Sequence, residues 1–110
     1  MRVDTTNDLQ KFINEEVKKK LVQVDMVIKT DVSIPTKVLL TYIRAIEGVT
    51  IVHIVEATQR ISDSQELTRI RIKYVPYGKI KISLKRLLLK IQTISGIFST
   101  RVLKVNMVDI

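Results

Sequence analysis

One apolar pattern occurs twice in the chain, and it limits the fold more than any other feature. Leu39-Leu40-Thr41-Tyr42-Ile43-Arg44-Ala45-Ile46-Glu47-Gly48-Val49 matches Leu87-Leu88-Leu89-Lys90-Ile91-Gln92-Thr93-Ile94-Ser95-Gly96-Ile97. The apolar residues fall at i, i+4 and i+7, the spacing of one helical face. Each copy closes on glycine, the residue that most readily adopts the left-handed conformation after a helix. Two copies are too few for a solenoid. They describe two halves of one domain, which suits a chain of 110 residues.

Strand-like sequence flanks each copy. Residues 24–31 place Val24, Met26 and Ile28 on one side and Asp25, Val27 and Lys29 on the other. Residues 50–57 are rich in Val and Ile, residues 67–75 alternate Ile70 and Ile72 with Arg69, Arg71 and Lys73, and residues 101–108 are again apolar-rich. The order strand-helix-strand, repeated, predicts an α+β domain over residues 24–110. Right-handed crossovers give a ferredoxin-like βαββαβ plait: a four-stranded antiparallel sheet of order 4-1-3-2 with two helices on one face. The predicted core unites Leu39, Ile43, Ile46, Leu87, Leu88, Ile91 and Ile94 with Met26, Ile28, Ile70, Ile72, Leu103 and Val105. Pro35 suits the first turn of a helix, Pro76-Tyr77-Gly78 a turn after the third strand, and the polar stretch 59–66 a loop. Ahead of the plait, residues 1–23 form a separate N-terminal unit. Leu9, Phe12, Ile13, Val17 and Leu21 make the apolar stripe of a helix over 5–22.

Few residues can carry catalysis. There is no cysteine, so disulfides and thiolate chemistry are excluded. His53 is the single histidine and lies in a strand-like run. The three glycines are isolated, so no phosphate-cradling loop exists. No enzyme activity, cofactor or metal is expected. No apolar run reaches the roughly 20 residues of a membrane span, and no signal peptide is expected. An intracellular or virion location follows.

The charge is concentrated. Between residues 64 and 90 stand Arg69, Arg71, Lys73, Lys79, Lys81, Lys85, Arg86 and Lys90 against Glu66 alone, nearly the whole net charge of +8. Arg69, Arg71 and Lys73 share one strand parity and line the open face of the sheet. They are the candidate contacts for nucleic-acid phosphate, and cross-strand ion pairing is the competing reading. The plait is also the fold of the RNA-recognition motif, which stacks bases on aromatics of its open face. Here those positions hold Asp25, Val27, Lys29, Arg69, Arg71 and Lys73, so any binding would be to the backbone alone.

Two apolar surfaces exceed the needs of one core. Val38, Tyr42 and Ala45 form a second stripe on the first helix, beside Leu39, Ile43 and Ile46. The N-terminal helix or another subunit would cover it. In the second strand, Ile51 and Val55 have one parity and Val52 and Ile54 the other, so an apolar row lies on each face of an edge strand. These seven residues are the candidate partner interface, in a homo-oligomer or with other assembly subunits.

Two resemblances carry expectations. Ile43-Arg44-Ala45-Ile46-Glu47-Gly48-Val49 resembles the helix-to-strand corner of ACT-type regulatory plaits, which implies a small-ligand module. Those domains place glycine at the turn into the first helix, where this chain has Asp31-Val32-Ser33-Ile34-Pro35. The segments 9–17, 46–52 and 69–76 resemble small uncharacterised proteins of tailed bacteriophages, which implies a virion or assembly component. The leading expectation is a non-enzymatic structural or interaction module that self-associates. A basic, sequence-independent nucleic-acid-binding protein is the alternative, and an ACT-like module the second.

Overall fold

The computed structural model describes residues 20–109. In chain order the elements are β1 (Lys20–Asp31), α1 (Thr36–Arg44), β2 (Val49–Ile54), β3 (Gln59–Arg60), β4 (Gln65–Tyr74), α2 (Ile80–Gln92) and β5 (Ile97–Asp109). The strands form one antiparallel sheet in the order β2-β4-β1-β5, and β3 also pairs with β4. The four-stranded plait of order 4-1-3-2 is thereby corrected. The sheet has five strands, and the helices follow β1 and β4. The added strand comes from the polar stretch expected to be a loop. Gln59 and Arg60 pair with Leu67 and Glu66, and the Ile61 and Ser62 amides donate to the Gln65 carbonyl at the hairpin tip. This strand is held by backbone groups alone, so no apolar alternation announces it.

The repeat is expressed as two like helix ends. The Ile46 amide donates to Ile43 and the Val49 amide to Ile46; 48 residues on, Ile94 donates to Ile91 and Ile97 to Ile94. Gly48 (φ 91°) and Gly96 (φ 97°) make the left-handed turn in each copy. A Cβ on Gly96 would lie 2.4 Å from Ile34 Cδ1, and one on Gly48 3.2 Å from the Val75 carbonyl oxygen. Both glycines therefore serve close packing as well as backbone geometry.

Both helices cover the same face of the sheet. Val22, Val24, Met26 and Ile28 of β1, with Ile70, Ile72 and Tyr74 of β4, form one buried cluster with Leu39, Leu40, Ile43, Leu87 and Ile91. Each fully buried aliphatic side chain contributes about 1.5–3 kcal/mol relative to exposure. Ile46, Leu88 and Ile94 pack partly buried against this cluster, with Val102.

Leu103 and Val105 do not join the core; they are exposed. The cause is register. Asp25 faces Lys104 while Met26 faces Val102, so Leu103 is an extra residue; Lys29 faces Ser99 while Thr30 faces Ile97, so Phe98 is another. Each bulge reverses the alternation of β5. Val102 thus takes the inward position predicted for Leu103. Val105, opposite Val24, does return to the helix side, but remains exposed there.

β1 begins at Lys20, so residues 20–22 are strand rather than the end of a helix over 5–22. The rest of that predicted helix lies outside the described residues. No described helix is long and apolar enough to cross a membrane.

Candidate functional site on the open face

The face of the sheet away from the helices is built from β1, β4 and β5, with Ile51 and His53 of β2 at its border. Its register sets Asp25 between Arg71 and Lys104, Val27 between Arg69 and Arg101, and Lys29 between Leu67 and Ser99. As the alternation predicts, Arg69, Arg71 and Lys73 share this face. The structure adds Arg101 and Lys104 from β5.

Two of the three arginine and lysine residues of the β4 stripe have internal partners. Arg71 donates from Nε to Asp25 Oδ1 at 2.8 Å and from Nη2 to Oδ2 at 3.2 Å. This fork matches the planar carboxylate. Arg71 lowers the Asp25 pKa chiefly through these hydrogen bonds, against the opposing effect of burial. Arg69 donates from Nη1 to Glu56 Oε1 at 2.8 Å. Lys73 has no ion pair among the described residues. The ion-pairing reading of the stripe therefore describes Arg69 and Arg71.

Around Val27 the face sinks into two adjoining depressions of about 300 Å³ each. They share Val27, Leu67 and Arg101; Lys29 and Ser99 border one, Arg69, Glu56 and Leu103 the other. One wall is the excursion between β2 and β3, and the other is the β5 bulge. The floor is apolar and most of the rim is cationic. Neither Leu103 nor Arg101 was assigned to this face by alternation, although a signal existed. Arg101, Leu103 and Val105 share one parity, and a regular strand with Leu103 inside would also bury Arg101.

The candidate partner interface divides. Val52 faces Ile72 and is 4% exposed, so it belongs to the core and cannot meet a partner. Ile54 stands on the same side but is 41% exposed. Ile51 and Val55 are also exposed, as are Val38, Tyr42 and Ala45 of the α1 stripe. The edge of β2 is partly occupied. The Val55 amide donates to the Arg69 carbonyl, so the backbone groups of Val52 and Ile54 point outward. Arg44 Nη2 donates to the outward Val52 carbonyl at 3.2 Å.

The corner where an ACT-type ligand would lie carries a local hydrogen-bonded turn. Asp31 Oδ1 accepts from the Ser33 amide at 2.9 Å and from its hydroxyl at 2.8 Å. These bonds hold the Asp31 carboxyl below the usual range. His53 is exposed on β2, opposite Arg71. No cluster of three His, Cys, Asp or Glu residues that could hold a metal occurs among the described residues. No family model matches the chain, and neither does any curated protein.

Proposed function

We propose that the protein is a non-enzymatic interaction module that self-associates through the side of the molecule formed by α1 and β2. The observation that carries this is the exposure of Val38, Tyr42, Ile51, Ile54 and Val55 on two neighbouring elements. Arg44, reaching from α1 to the β2 edge, joins them. Ile54 lies on the helix side with Val38 and Tyr42, while Ile51 and Val55 border the open face. Exposed apolar groups gain about 25 cal/mol per Å² when removed from water. A specific contact needs about 1,000 Å² in total, within reach of one helix and one strand.

Contact here is by side chains rather than by strand addition, because Arg44 already takes up one outward carbonyl of β2. The internal pairing of Arg69 and Arg71 supports this reading over nucleic-acid binding, since it neutralises two of the three cations of the stripe. The Asp31–Ser33 turn, with no glycine and with its carboxylate already engaged by Ser33, supports it over a small-ligand module. An assembly role also accords with the resemblance to small tailed-bacteriophage proteins.

Sedimentation equilibrium of the full chain over a wide concentration range tests the proposal. The wild type should associate, and Tyr42→Lys with Ile54→Lys should give a folded monomer. A wild type that stays monomeric at every concentration would refute it.

A further inference from the structure

We propose that the depression over Val27 docks an acidic, aliphatic-rich extended segment of a partner protein. This site lies on the open face of the sheet and does not depend on the association surface of α1 and β2.

Three observations carry it. The floor is apolar, formed by Val27, Leu67 and Leu103. Lys29 and Arg101 stand on the rim and have no ion pair among the described residues. Arg69 also stands on the rim, its charge taken up by Glu56. The walls come from features that depart from a regular sheet: the excursion through Glu56 and Ala57, and the extra residue Leu103.

Charge selects the occupant. A second copy of this chain carries +8 and would bring like charge to the same face. A phosphodiester backbone would satisfy Lys29 and Arg101 but offers no aliphatic group to Val27 and Leu67. None of the residues lining the depressions is aromatic, so bases would find nothing to stack on. An extended peptide with paired carboxylates and paired aliphatic side chains presents both kinds on one face and satisfies both parts. Its apolar side chains enter the depressions and its carboxylates meet the rim cations. Such charge complementarity acts mainly on encounter rate and partner choice.

The test uses the full chain and fluorescence anisotropy with four probes: short peptides repeating Glu-Glu-Leu-Leu (the Glu-Leu peptide), Glu-Glu-Ser-Ser (the Glu-Ser peptide) and Lys-Lys-Leu-Leu, and an oligothymidylate of matched charge. The Glu-Leu peptide should bind most tightly, with the Glu-Ser peptide roughly tenfold weaker. Lys29→Glu with Arg101→Glu should weaken the Glu-Leu peptide by roughly tenfold or more. Arg101→Gln, a milder change at an exposed position, should weaken it less. Circular dichroism confirms that each variant is folded. Lys85→Glu with Arg86→Glu, on α2, should leave binding unchanged. Amide shifts on titration should map to Val27, Leu67 and Leu103. Equal affinity for the Glu-Leu and Glu-Ser peptides, tighter binding of oligothymidylate, shifts centred on α2, indifference to the double reversal, or no binding of any probe would each overturn the proposal.

Discussion

Asp25 and Arg71 stand opposite each other on β1 and β4, joined by hydrogen bonds of 2.8 and 3.2 Å on the face that no helix covers. Asp25 is 5% exposed, with Lys104 opposite it on β5. A carboxylate so enclosed depends on its cationic neighbours. Its pKa lies below the ordinary aspartate value, chiefly through the Arg71 hydrogen bonds.

A pH dependence with a definite sign follows. A lowered folded pKa means that the ionised Asp25 stabilises the fold above its unfolded pKa. That contribution fades as pH falls through the unfolded value toward the folded one. Asp31, held by Ser33, acts in the same direction. Urea midpoints should therefore decline below roughly pH 5. Asp25→Asn should lower the midpoint at neutral pH and flatten the acid limb. An acid limb unchanged in both Asp25→Asn and Asp31→Asn would contradict the assignment.

The repeat predicts matched costs. Ile43 and Ile91 occupy the same place in the two copies and are both 0% exposed. Ile43→Ala and Ile91→Ala should each destabilise by about 2–5 kcal/mol. Leu89→Ala, at a residue 55% exposed, should change stability by less than about 0.5 kcal/mol. Chemical denaturation of the three variants checks this.

Gly96→Ala should be the costlier of the two helix-end substitutions. Both glycines share the penalty of a positive φ, about 1–2 kcal/mol for an L-residue. At Gly48 the new methyl lies 3.2 Å from the Val75 carbonyl oxygen, whereas at Gly96 it meets two side chains, Ile34 and Leu39, at 2.4 and 3.3 Å from the Cβ position. Ile34 must move, which disturbs packing at the start of α1. Gly96→Ala with Ile34→Ala should recover part of the loss, measurable in a double-mutant cycle.

Deleting Leu103 should leave the fold intact. Val102 already points to the helices and Lys104 to the open face, so removing the residue between them restores regular alternation. The domain should retain its circular dichroism spectrum. Its straightened edge should raise its tendency to aggregate, read by light scattering, because bulges protect sheet edges.

The helices were legible because each has a stripe at helical spacing and a glycine stop. The central strands were legible because alternation in residues 24–31 and 67–75 is regular; the same alternation put Asp25 and the arginines on one face. β3 was not legible, since Gln59 and Arg60 bury nothing. The sequence reading also began the first strand too late, at Val24, whereas residues 20–23 already belong to it. In β5 the adjacent apolar pair Val102-Leu103 was the trace of a bulge, but a two-residue period has no place for an extra residue. The depression was missed for the same reason. Its floor and rim take Leu103 and Arg101 from β5, whose faces cannot be assigned before the bulge is known.

The two borders of the sheet differ in how they are disrupted. Arg44 sits over an outward carbonyl of β2, and β5 carries extra residues at Phe98 and Leu103. Neither border offers a clean row of amides and carbonyls on which another chain could add strand after strand. A ribbon growing by translation, which has no natural end, is therefore disfavoured from both directions. Copies that met would do so through side chains, and a two-fold contact of that kind closes on itself. The irregularities that blurred the faces of β5 in the sequence thus close one route to fibres, the addition of strand to strand.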